Sequence, residues 1–267
     1  MDQALRQKTL ARFEEHRRAW QGNEAARTLY ASWYARVRAA LPDIGLGPWI
    51  ELGSGPGFAR EFIPGLQLTD VVAAAWHDGQ VAAEALPFAN DSMGALVLFD
   101  VLHHLPSPAR FFSEASRVLR VGGRIVLCEP YISPVSFAVY RCFHDEPVRF
   151  VAQPLDQEST ADKDPFVGNQ AIPTILMGRG RAELERRYQS LRVTTVETLA
   201  GLAYPASGGL SRGPLLPMKL WRALWALEGH LPSWAFRMMG FRLLAIIEKV
   251  QAPRGLPRAT SCRTILG

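Results

Sequence analysis

Cysteine is scarce, with three in 267 residues, at positions 128, 142 and 262, and no C-x-x-C pair among them. That usage excludes a disulfide framework, and a reducing, cytoplasmic setting is the simplest expectation. No stretch of 18 residues is free of charge, so no membrane-spanning helix is expected. Residues 1–20 are charged throughout and lack the apolar centre of a secretory signal. Thirty basic residues face 25 acidic ones, a net charge of +5, but the basic residues are scattered and form no arm suited to nucleic acid. Internal repeats and low-complexity tracts are absent as well.

What is present is an ordinary globular composition, 48% apolar, in a length that fits one large domain or one domain with an added cap. Residues 1–41 read as a helical cap. Leu29, Trp33, Val37 and Leu41 recur every four residues with Tyr30 and Tyr34 beside them. The stripe reads first as core packing and second as a cover over a site mouth. Residues 42–133 alternate short apolar strands (48–52, 66–72, 95–102, 124–129) with helices at 58–63 and after Ser107-Pro108, the latter closed by Gly122-Gly123. This alternation indicates an α/β fold with a parallel sheet. Residues 134–190 are proline-rich and read as an inserted lid. Residues 191–250 hold two further strands, 191–199 and 241–250, around a helical insertion rich in Leu, Trp and Met. Residues 251–267 read as a mobile tail.

The most informative stretch is Glu51-Leu52-Gly53-Ser54-Gly55-Pro56-Gly57. It reads as a strand delivering a tight loop, where glycines allow positive φ and close approach to a ligand. Position 58 is Phe, so the G-x-G-x-G spacing departs from the dinucleotide fingerprint, whose third glycine stands one place later. Asp70 follows Gly53 by 17 residues, at a strand end where a carboxylate can accept from both hydroxyls of a ribose. The plainer alternative is a strand-end aspartate capping the next turn.

Three more strings follow in order: Ala83-Glu84-Ala85-Leu86-Pro87-Phe88, then Phe99-Asp100-Val101-Leu102-His103-His104-Leu105, then Arg117-Val118-Leu119-Arg120-Val121-Gly122-Gly123. With the glycine loop they resemble the type 11 family of class I S-adenosylmethionine-dependent methyltransferases, over roughly residues 48–133. The resemblance implies a Rossmann-like seven-stranded sheet with a reversed last strand and helices on both faces. It implies S-adenosyl-L-methionine as cofactor, with Glu51, Gly53, Ser54, Gly55 and Gly57 at its methionine part. Asp70 would hold its ribose, Leu86 would flank its adenine, and Asp100 would complete the set. Two positions depart from the family pattern: Ala82 stands where an acidic residue is usual, and Met93-Gly94 where Phe-Asp is. The link from Asp70 to Ala82 is also too short for the usual helix, and Trp76 in it either stacks on a ligand or plugs the gap.

Methyl transfer to oxygen needs a base only if the acceptor keeps its proton. His103 and Glu129 match the places where related small-molecule O-methyltransferases keep a base and its orienter, and His104 is the second candidate. Tyr131, His144 and Asn169 are expected to line the substrate pocket. His144-Asp145-Glu146 has the composition of a metal-binding trio but lacks a nearby partner cluster in sequence. A solvated helix end is therefore preferred, with no metal. The group Trp221, Trp225, Trp234, Met238 and Met239 reads as core, or else as a greasy channel or a rest on a membrane surface. The expected activity is methylation of a small, largely apolar acceptor such as a lipid, quinone or secondary metabolite, at oxygen in preference to carbon. The alternative is a non-methylating member of the fold that binds the cofactor for charge, structure or regulation. No N-P-P-Y or D-P-P-Y string follows the fourth strand, which disfavours nucleic-acid methylation.

Overall fold

The computed structural model describes residues 3–143, 146–156, 166–210 and 212–251. The expectations placed on His144, on Cys262 and on the tail beyond residue 251 fall outside the described residues. Seven strands form one sheet: β1 (Trp49–Leu52), β2 (Leu66–Asp70), β3 (Gly79–Gln80), β4 (Met93–Phe99), β5 (Leu119–Pro130), β6 (Leu191–Leu199) and β7 (Arg242–Lys249). Their order is β3-β2-β1-β4-β5-β7-β6. All neighbours pair parallel up to β5, and β7 runs antiparallel to both β5 and β6. The sheet is the Rossmann-like α/β arrangement with a reversed last strand.

The helices are α1 (Gln3–Gly22), α2 (Glu24–Ala40), α3 (Pro108–Val118), α4 (Pro134–Phe143), α5 (Ile172–Met177), α6 (Arg181–Arg187), α7 (Ala203–Ala206), α8 (Met218–Glu228) and α9 (Ser233–Met239). Every residue of β4 is buried, and its side chains alternate between two cores, as the period of two of a strand requires. Leu96 and Leu98 pack with Phe111, Phe112 and Leu176 on one face. Ala95, Val97 and Phe99 pack with Trp33, Val37 and Trp221 on the other. Ser107 caps α3 by accepting the Arg110 N–H at 3.3 Å, with Pro108 at the first helical position.

Two local expectations are corrected and one departure is explained. The first 41 residues make two helices, because Asn23 interrupts them. Its Oδ1 caps α2 at the Ala26 N–H (3.0 Å), and its Nδ2 donates to Ser207 O (2.8 Å) across the molecule. Gly122-Gly123 does not close α3. The helix ends at Val118 and β5 begins at once, with Gly122 at φ 84° inside it. The Met93-Gly94 departure has a packing cause. A Cβ at Gly94 would stand 2.5 Å from Gly47 O, so the turn preceding β1 crosses where only glycine fits. Gly94 also lies at the opposite end of β4 from Asp100, away from the carboxyl ends of the strands.

The C-terminal aromatic group divides. Trp221 is fully buried and stacks on Trp225, whereas Trp234 is 65% exposed. Among the described residues no helix is long and apolar enough to cross a membrane.

Candidate active site

The carboxyl ends of β1, β2, β4 and β5 and the first residue of reversed β7 meet around one cavity of about 290 Å³. The crevice beyond these strand ends is where open α/β sheets bind ligands. Glu51, Gly53, Ser54, Gly55, Asp70, Asp100, His103 and His104, all named from the sequence, line it.

The glycine loop takes backbone conformations that glycine alone adopts freely. Gly53 lies at φ 70°, and a Cβ there would strike Val101 Cγ2 at 2.6 Å. Gly55, at φ 49°, donates its N–H to Asp70 Oδ2 (2.9 Å). Asp70 Oδ1 accepts the Val72 N–H at 2.9 Å, so one carboxylate fixes both the loop and the turn after β2. Burial pushes the Asp70 carboxyl up, and these two N–H groups pull it partway back. Glu51 is fully buried with Oε2 unpartnered, and burial pushes its carboxyl up to about 8. Gly57 lies off the cavity, under the Trp76 ring, which a Cβ would meet at 2.6 Å. Trp76 plugs the shortened link, donating Nε1–H to Gly55 O at 2.8 Å.

Beside this loop stands a dyad. Glu129 Oε1 accepts the N–H groups of Val101 and Leu102, both at 2.8 Å, and Oε2 lies 2.7 Å from His103 Nδ1. Burial raises the Glu129 carboxyl to about 7 against the pull of the Leu102 and Val101 N–H groups. With Nδ1 at the Glu129 carboxylate, Nε2 is the nitrogen turned toward Glu146. Nε2 stands 3.6 Å from Glu146 Oε2, and His104 Nε2 stands 3.8 Å from Glu146 Oε1. The absence of a partner cluster for the 144–146 segment is thus corrected by the fold, which sets Glu146 over the histidine pair. The ligand atoms of His103, His104 and Glu146 lie within 4.8 Å of one another, and so do those of Asp100, His103 and Glu129. Either set is close enough to converge on one cation.

Four placements differ from the sequence reading. Leu86 is 4% exposed and packs in the core, its N–H held by Glu114 Oε2 at 2.8 Å, so it does not line the cavity. Tyr131 turns away and extends its hydroxyl to Arg237 O at 3.5 Å. Asn169 spends its side chain on the Arg149 N–H (2.9 Å) and Arg149 O (3.0 Å), clamping two lid segments. Its own N–H donates to His103 O at 3.0 Å, which docks the lid on the dyad. Gly57, the fourth, lies under the Trp76 ring and not at the cavity, while Trp76 takes the second of its two readings, the plug.

The structure adds three contributors. Helix α1 brings Thr9, Arg12, Phe13 and His16 to the cavity. Arg17 donates Nη1–H to Pro56 O (2.8 Å) and lies 4.3 Å over the Trp76 ring. Gln170 lines the cavity with Oε1 unpartnered and gives Nε2–H to Glu146 Oε2 at 2.6 Å. Arg242, the first residue of β7, is 1% exposed and reaches Asp100 Oδ1 with Nη1 at 2.6 Å. Asp100 is held at φ 59°, strain of the kind that gathers at functional sites. A lone arginine at the head of the apolar run Leu243–Ile247 was the signal available for it in the sequence.

A methyltransferase-domain family model matches residues 50–127. Malonyl-[acyl-carrier protein] O-methyltransferase of Hahella chejuensis is 29% identical over 134 residues, 50% of this chain and 44% of that protein, so the match spans less than half the relative's length. A chain in the solved complex of the Haloferax volcanii Trm112 methyltransferase activator with a methyltransferase aligns over 94% of this chain and 100% of its own, at TM-score 0.53 and 14% identity. A geranyl diphosphate C-methyltransferase from Streptomyces coelicolor A3(2), solved with S-adenosyl-L-homocysteine, aligns at TM-score 0.47 and 14% identity over 84% of this chain and 82% of that one. The residues present fit the cofactor of this class. Glu51 offers an unpartnered buried oxygen, Asp70 keeps lone pairs beyond its two N–H bonds, and Gly53 and Gly55 line the cavity at positive φ. Residues 50–127 are therefore a methyltransferase domain, carried on the fold of the class I S-adenosylmethionine-dependent enzymes.

Proposed function

We propose that the chain transfers the methyl group of S-adenosylmethionine to an oxygen of a small, largely apolar acceptor. The observation that carries this reading is the 2.7 Å His103–Glu129 contact at the wall of the cavity that also holds Glu51 and Asp70. Similarity to a malonyl-[acyl-carrier protein] O-methyltransferase supports oxygen as the acceptor atom.

When bound, the cofactor supplies an electrophilic methyl group on a positively charged sulfonium. His103 Nε2 would take the proton of an acceptor hydroxyl as that oxygen receives the methyl group the cofactor would supply. Glu129 keeps the ring oriented and stabilises the imidazolium. The aromatic walls, Tyr30, Tyr34, Phe99 and Tyr204, favour an apolar acceptor body. Helix α1 and the docked lid border the site with Phe13, Phe166 and Gln170, the side from which water would be limited.

Calorimetric titration with S-adenosylmethionine, S-adenosylhomocysteine and NADH tests the cofactor half. Micromolar binding of the first two, none of NADH, and at least a tenfold loss in Asp70→Ala are expected. Radiolabelled methyl transfer to a panel of hydrophobic hydroxylated acceptors tests the rest. His103→Asn should keep S-adenosylhomocysteine affinity and lose on the order of 10²–10⁴ in transfer rate. Undiminished transfer by that variant would remove the base from the mechanism. Cofactor binding without transfer to any acceptor would leave the alternative, a non-methylating member of the fold.

A further inference from the structure

Among the described residues, those that line this cavity and carry buried side-chain atoms without a hydrogen-bond partner include Glu51 (Oε2), Gln170 (Oε1) and Arg242 (Nε and Nη2). The two Arg242 atoms are of a different kind, because they are cationic donors. A buried guanidinium is costly unless its N–H groups are paired. Arg242 has one carboxylate, Asp100, on Nη1. Its planar faces rest against Trp33, Phe99 and Tyr204, with the guanidinium carbon 4.9, 5.2 and 5.6 Å from the three ring centroids. The Tyr204 hydroxyl and the Cys128 thiol also hydrogen-bond the guanidinium, and Nε and Nη2 are the nitrogens left without a partner. Nε and Nη2 form the side-on edge of the guanidinium, the fork whose spacing matches the two oxygens of a carboxylate.

Topology says which ligand this fork serves. Glu51 and Asp70 stand on β1 and β2, whereas Arg242 stands on β7, with β4 and β5 between β1 and β7. Three strand steps place it roughly 14 Å from the Glu51 strand, given a strand spacing of about 4.8 Å. Asp100, at the end of β4, lies between the two groups. Its carboxylate touches Arg242 and also lies within 4.8 Å of the ligand atoms of His103 and Glu129. The fork and the base therefore flank one residue, on the acceptor side of the cavity.

We propose that Arg242 is an acceptor-specificity residue, whose Nε/Nη2 fork binds a carboxylate carried by an otherwise apolar, aromatic-sized acceptor. This inference rests on the methyltransferase reading for the word acceptor, but the carboxylate site itself does not. The carboxylate anchors the molecule at β7, and the aromatic rings around the guanidinium enclose its body. A hydroxyl at its other end reaches His103. The other source of the same chemistry is the carboxylate of the cofactor's methionine moiety.

The test uses the full-length chain and three probes, benzoate, phenylacetate and octanoate, each compared with its neutral amide. Binding is followed by calorimetry and thermal shift, with and without saturating S-adenosylhomocysteine. At least one carboxylate should bind ten or more times tighter than its amide, and Arg242→Gln and Arg242→Lys should each lose that preference. S-adenosylhomocysteine affinity in both variants should stay within about threefold of the parent. The double variant Asp100→Asn/Arg242→Gln removes both members of the ion pair and serves, scored by the same acid-against-amide preference, if the single variants fail to fold. Equal binding of acid and amide, or a preference that survives in the variants, would overturn the proposal. A tenfold loss of S-adenosylhomocysteine with carboxylate binding intact would assign the fork to the cofactor instead. Absence of S-adenosylhomocysteine binding in the parent would fail the methyltransferase reading alone, since the carboxylate arm is scored without it.

Discussion

At the scale of the residue, the site is governed by what burial does to carboxylates. Glu51 is raised to about 8 and Glu129 to about 7, in both cases chiefly by desolvation. For Glu51 the folded chain holds its proton more tightly than the unfolded chain does. Its contribution to stability is therefore fully present below the ordinary carboxylate value and is lost as pH rises toward about 8. Glu51→Gln removes that dependence. The variant should gain stability over the parent at pH 8.5, by on the order of a few kcal/mol, and little at pH 5, as read by urea unfolding at both. A cation favours the ionised form, so the ammonium of a bound cofactor would drive the Glu51 proton off. Calorimetric enthalpies of S-adenosylhomocysteine binding at pH 7 should then change between phosphate and Tris buffers in the parent and much less in Glu51→Gln. Equal buffer dependence in the two would separate Glu51 from the cofactor.

At the scale of the element, the two N-terminal helices do different work. α2 inserts Leu29, Trp33 and Val37 into the core and belongs to the scaffold. α1 buries Thr9, Phe13 and Trp20, a thin attachment for 20 residues. It is pinned to the glycine loop by Arg17, and by Trp20 stacked on Phe58 at 4.1 Å. An element with few buried contacts opens at low free-energy cost, and this one lines the cavity with Thr9, Arg12, Phe13 and His16. The double variant Phe13→Ala/Arg17→Ala should keep its circular dichroism and midpoint of unfolding within a few degrees. Its S-adenosylhomocysteine dissociation rate should rise at least tenfold in stopped-flow measurements. An unchanged rate would make α1 a passive flank.

At the scale of the whole molecule, one ligand should tie several elements together, since strands β1, β2, β4 and β7, helix α1 and the lid all reach the same cavity. Ligand at 100 times its dissociation constant adds about 2.7 kcal/mol of stability. For a domain of this size that corresponds to a rise in Tm of about 5–10 °C. Scanning calorimetry should show that rise with S-adenosylhomocysteine and none with NADH at the same concentration. An equal response to NADH would contradict the assignment of the glycine loop.

The sequence by itself determined the parallel sheet, the glycine loop, Asp70 and the order of motifs from residue 48 to residue 133. These are local: short strands, turn residues and spacings are written in neighbouring positions and survive without knowledge of the rest of the chain. Adjacent strand ends also made His103 and Glu129 legible as a pair, because the parallel topology itself brings them together. What only the tertiary structure decided came from residues far apart along the chain. Glu146 comes over the histidines through the fold of the lid, Arg17 reaches the glycine loop from a separate helix, and Arg242 enters the crevice because its strand runs backwards. The same holds where expectations failed. Leu86 went to the core and Gly57 under the Trp76 ring, because burial and close contact are set by partners the local pattern does not contain.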